Sequence, residues 1–130
     1  KPDTQSYSAV IDAWSKSGSP LSTERAEYWL NVMEDKSNSG DFAVKPNART
    51  YTNVINALRT GEKRTMGDEA EKVLKMMEDK YAKGDLESAP DIFTYSSVIN
   101  VWGRSTSPQK AKRAWELIQR MKDNGLKPNT

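Results

Sequence analysis

Apolar residues recur along the chain in two alternating stripes, each with the spacing of one helix face. Tyr7, Val10, Ile11 and Trp14 stand at i, i+3, i+4 and i+7; Tyr51, Val54, Ile55 and Leu58 repeat the set, as do Tyr95, Val98, Ile99 and Trp102. Side chains so spaced line one side of a helix, which predicts helices over 4–17, 48–60 and 92–104. A second stripe follows each: Ala26, Trp29, Leu30, Met33, then Ala70, Val73, Leu74, Met77, then Ala114, Leu117, Ile118, Met121. It predicts helices over 22–38, 67–83 and 107–124. Pro2-Asp3, Pro46-Asn47, Pro90-Asp91 and Pro128-Asn129 pair a helix stop with a good N-cap. No alternating β-branched run marks a strand.

The tyrosines at 7, 51 and 95 are 44 residues apart. A step of that size is the mark of a stacked array, in which each unit buries its apolar face against its neighbours. The predicted fold is all-α: an α-solenoid of antiparallel helix-turn-helix hairpins forming a right-handed superhelix. It is a single helical-repeat domain over 1–130, with units at 4–47, 48–91 and 92–129. Lys1-Pro2-Asp3-Thr4 matches Lys127-Pro128-Asn129-Thr130, so a fragment of a longer array is expected. The N-cap positions 3, 47, 91 and 129 are 44, 44 and 38 apart, and the missing six fall after the second helix of the last unit. Lys36 to Val44 and Lys80 to Ala89 therefore carry helix extensions or looser turns. The first is rich in Ser, Gly and Asp, and mobility without chemistry is expected there.

Composition narrows the chemistry. The 20 basic and 18 acidic residues leave a net charge of +2, which permits a polyanionic partner without arguing for one. With no histidine and no cysteine there is no Ser-His-Asp triad, no Cys-His nucleophile and no zinc finger. No Gly-rich phosphate loop or dinucleotide fingerprint appears. No enzyme activity, cofactor or metal is expected, and no apolar run is long enough to cross a bilayer. Asp12, Asn56 and Asn100 share one repeat position; one acid and two amides make a poor metal site and suggest an inter-repeat hydrogen-bond row. Met33-Glu34-Asp35-Lys36 and Met77-Glu78-Asp79-Lys80 read as surface charge around a buried Met.

The tyrosine near the start of each first helix, the Val-Ile behind it, the Ala-x-x-apolar-apolar-x-x-Met of the second helix and the closing Gly125-Leu126-Lys127-Pro128-Asn129 together resemble the pentatricopeptide repeat family. The resemblance covers the whole chain as three lengthened units, P-type in character. Tetratricopeptide repeats favour a Trp…Leu-Gly…Tyr pattern that is not found here.

The resemblance implies a partner, single-stranded RNA, read at about one nucleotide per unit. The residue after the tyrosine and the last residue of the unit then share one base edge, giving the pairs Ser8 with Asn47, Thr52 with Asp91 and Ser96 with Asn129. Family correspondences look like adenine for Ser with Asn and guanine for Thr with Asp, or 5′-A-G-A-3′. Gln5, Arg49 and Phe93, two before each tyrosine, are the base-stacking positions. Lys16 and Arg104 are candidate phosphate contacts, with Thr60 breaking that series. Capping alone is the competing reading for the Asp and Asn positions. The family implies work in organellar RNA processing, stability or translation, in mitochondrion or plastid. Alternatives are a structural component among other ribonucleoprotein components, or a tetratricopeptide-like protein-interaction scaffold. No membrane partner is expected.

Overall fold

A computed structural model describes residues 2–126. Six α-helices follow in order: α1 Thr4–Ser17, α2 Ser22–Asn38, α3 Ala48–Ala57, α4 Met66–Ala82, α5 Ile92–Arg104 and α6 Lys110–Asp123. A 3₁₀ turn, Leu58–Thr60, finishes α3, and two more, Phe42–Val44 and Leu86–Ser88, precede α3 and α5. No strand occurs among the described residues. The helices pair as hairpins α1/α2, α3/α4 and α5/α6.

Helix starts follow from the side chains that close them. Asp3, Asn47 and Asp91 are extended N-caps whose side chains accept from the backbone N–H of Ser6, Thr50 and Thr94. In the last two, the threonine hydroxyl also accepts from the cap's own N–H, completing a capping box. Such a cap contributes about 1 kcal/mol. The second helices end alike. The N–H of Asp41, Asp85 and Leu126 reaches back to the carbonyl of Lys36, Lys80 and Met121, each across a glycine at positive φ (Gly40, Gly84, Gly125).

This shared ending locates the repeat-length difference. Gly40 and Gly84 lie seven residues after Met33 and Met77, but Gly125 lies four after Met121. Half of the extra length is therefore one more turn of α2 and α4. The other half is the 3₁₀ turn after the glycine. Specific contacts hold these turns in place against their neighbours. Val44 is buried, the Thr4 hydroxyl donates to the carbonyls of Ala43 and Lys45, and the Lys45 ammonium lies 3.1 Å from Asp85 of the next turn. Burial disfavours the charged Asp85, but hydrogen bonds from Lys45 and Ser88 outweigh it and hold the carboxyl below its ordinary range.

The core runs continuously through the stack. Tyr51, Val54 and Ile55 of α3, Leu58 of the turn that finishes it, and Ala70, Val73, Leu74 and Met77 of α4 are all buried, because hairpins pack on both sides of them. In α1 only Ile11 of the predicted stripe is buried; Val10 is exposed, and Tyr7 and Trp14 are half-buried, since nothing packs on that flank. α1, α3 and α5 pack directly on one another, whereas α2, α4 and α6 make no comparable contact among themselves. The first helices therefore form the shorter, inner arc of the stack.

Candidate nucleic-acid interface

Hydroxyl groups join the helices of the inner layer in a chain with a fixed direction. The Thr50 hydroxyl lies 3.1 Å from Asn47 Oδ1 and 2.7 Å from the Ser8 hydroxyl. One repeat later, the Thr94 hydroxyl lies 3.0 Å from Asp91 Oδ1 and 2.8 Å from the Thr52 hydroxyl. A carboxylate and an amide oxygen only accept, so each threonine gives its one proton to its cap and receives the proton of the neighbouring hydroxyl. The order of donation is Ser8 to Thr50 to Asn47, and Thr52 to Thr94 to Asp91.

The predicted pairs Ser8 with Asn47 and Thr52 with Asp91 are thus brought together, each bridged by one hydroxyl. The bridging threonines were not singled out from the sequence, although their place three residues after each cap is the capping-box signal. With its proton committed, Thr52 offers only lone pairs, as does exposed Asp91. Asn47 has its oxygen engaged and presents the amide N–H₂. Ser8 is buried at 2 % exposure, so Asn47 is the accessible member of its pair. Ser96 is half-buried, and its predicted partner Asn129 lies outside the described residues.

Gln5, Arg49 and Phe93 are all exposed on the first turn of α1, α3 and α5; only Phe93 presents an apolar plate, at 66 % exposure. Lys16 and Arg104 are exposed near the ends of α1 and α5. The Lys16 ammonium lies 3.0 Å from Asp12 one turn earlier. Asp12, Asn56 and Asn100 do not form the expected hydrogen-bond row: Asp12 faces Lys16, while Asn56 and Asn100 line an open groove. The acid at this position satisfies a cation within its own helix, leaving nothing to bridge repeats.

A second correction concerns Glu34 and Glu78, which are not surface charge. Glu34 accepts from the Tyr51 hydroxyl and, at 2.7 and 2.8 Å, from the Lys80 ammonium, which also donates to Tyr51. Glu78 accepts from the Tyr95 hydroxyl at 3.0 Å and from Arg120, while Asn124 Nδ2 donates to Tyr95 at 3.1 Å. Burial, then the adjoining carboxylates, raise both phenol pKa values, so the tyrosines remain donors. The tyrosines of α3 and α5 are thereby hooked to the second helix of the preceding unit. Glu71 acts similarly, accepting from Trp102 Nε1 at 2.8 Å and from Arg113 Nε at 2.9 Å.

Stacked hairpins, with a polar pair brought together in each of the first two units, define an α-helical repeat protein. Residues 93–126, within the third unit, match the family model of the PPR repeat, so that unit is similar to a pentatricopeptide repeat. PPR repeats in general bind single-stranded RNA. No curated protein matches the chain. No helix of the described residues is long and apolar enough to cross a membrane.

Proposed function

We propose that this chain reads single-stranded RNA at about one nucleotide per unit, with a preference for 5′-A-G-A-3′, in organellar RNA processing, stability or translation. What supports the base reading is the direction of the hydroxyl chain. Thr52 and Asp91 both present acceptors, which suits the N1–H and N2–H donors of guanine. Asn47 presents donors, which suits the ring acceptors of adenine. Ser96 and Asn129 supply the third pair from the sequence. Phe93 is the stacking plate and Arg49 a guanidinium plate beside it, with Gln5 a weaker surface. Mitochondrion or plastid is the compartment that goes with this reading.

The buried Ser8 supports a second reading for the first unit, in which that hairpin holds the strand by shape as part of a larger ribonucleoprotein. The decisive experiment is Asp91→Asn, because Asn is as good an N-cap as Asp and the fold is preserved. Binding to RNAs with G or A opposite the second unit is measured at two salt concentrations. The substitution is expected to move preference from G toward A by about 1–3 kcal/mol, with the salt dependence nearly unchanged. A native chain that gains nothing from G over A at that site overturns the proposed code.

A further inference from the structure

One basic groove on the inner layer is left unexplained by base reading. It lies between α3 and α5, has a volume of about 580 Å³, and is bordered by Asn56, Arg59, Asn100 and Arg104. Both arginines are exposed, and among the described residues neither has a carboxylate within ion-pairing distance. The first unit differs: its cation, Lys16, is already neutralised by Asp12. In the second and third units the position of Asp12 holds Asn56 and Asn100, amides that donate without cancelling charge.

The 3₁₀ turn explains why the second unit supplies an arginine one place early. Thr60 stands where Lys16 and Arg104 stand, yet its hydroxyl donates to the Ala57 carbonyl at 3.1 Å and lies 3.3 Å from that of Thr23 on α2. Arg59 instead lines the groove. One of its terminal N–H groups donates to the Ser15 carbonyl at the end of α1, at 2.8 Å. That bond fixes the guanidinium and leaves most of its donor fork for a ligand.

We infer that this groove seats a phosphodiester of the bound strand, with Arg59 and Arg104 as paired cations and Asn56 and Asn100 as neutral donors. This rests on the RNA reading above and adds the residue that completes its backbone contacts across the second unit. A guanidinium fork matches the geometry of two phosphate oxygens. Two uncancelled cations in one groove repel until an anion enters.

The test is fluorescence anisotropy of the full chain with a labelled oligonucleotide containing AGA, between roughly 50 and 200 mM salt. Arg59→Gln is expected to reduce the salt slope by about 0.7, so that its affinity deficit shrinks about 2.5-fold over that range, while the preference at the middle base stays put. Asn56→Asp should act likewise by pairing with Arg59, and it leaves the Ser15 contact in place, separating anion binding from any loss of fold. A neutral methylphosphonate between the second and third nucleotides should weaken the native chain and have no further effect on Arg59→Gln. RNA binding by the native chain with an unaltered slope in Arg59→Gln and Asn56→Asp overturns the seat and leaves the RNA reading standing. No RNA binding at all overturns both. Equal binding of a poly-glutamate peptide assigns the groove to carboxylates and overturns the phosphodiester inference.

Discussion

Gly67 is the second residue of α4, is buried, and has no positive φ to require a glycine. Its reason is the indole of Trp102. A Cβ built at Gly67 would lie 2.6 Å from Trp102 Cζ3 and closer still to Cδ2 and Cε3, well inside any tolerable contact. The indole has nowhere to go: it is 1 % exposed, and its N–H is held by Glu71, which Arg113 also holds. In open space Gly→Ala in a helix gains up to about 1 kcal/mol; overpacking a rigid core costs about 1–3 kcal/mol. Gly67→Ala is therefore expected to destabilise the fold by roughly 1–2 kcal/mol net. The preceding unit carries the complementary solution, with Thr23 in place of Gly67 and Leu58 in place of Trp102. Trp102→Leu alone should cost about 2–4 kcal/mol through the cavity it opens. In that background Gly67→Ala has room, and its sign should invert to stabilising. Urea unfolding followed by helical circular dichroism on the four chains of the cycle gives the coupling directly. An alanine that is neutral or stabilising beside the native tryptophan refutes this account of the packing.

Tyr95→Phe removes a donor to Glu78 and an acceptor for Asn124, and should lower unfolding free energy by about 1–2 kcal/mol in the same assay; no measurable loss would mean the hook carries no stability. Glu27 has its pKa raised by burial first and by the nearby Glu69 second, with Lys72 opposing. The folded state therefore binds this proton more tightly than the unfolded chain, and stability falls as pH rises from the unfolded pKa through the raised folded one. Glu27→Gln is expected to raise Tm near neutral pH, with the gain fading on acidification into the ordinary carboxylate range; a gain independent of pH contradicts the assignment.

Periodicity carried most of the fold because the two stripes are determined by burial, and burial is what stacking enforces. The caps were equally legible: Asp3, Asn47 and Asp91 sit one residue before the helices they close. Contacts between residues distant in sequence were not. Nothing local distinguishes Glu34, which reaches across 46 positions to Lys80, from a solvated acid one turn away. The same blindness hid Arg59, since a change from α to 3₁₀ winding over three residues decides which of Arg59 and Thr60 faces the groove. Ser8 and Thr52 look equivalent in the repeat, yet one is buried and the other half-buried.

Thr50 and Thr94 each close their own helix and also bond a hydroxyl of the preceding one, so no hairpin owns all the atoms that shape its edge. Anyone shuffling such units to build new readers would cut this bond by splicing at the cap. A transferable cassette should instead carry the capping threonine of its successor along with it, making the exchangeable length one hairpin and the first turn of the next.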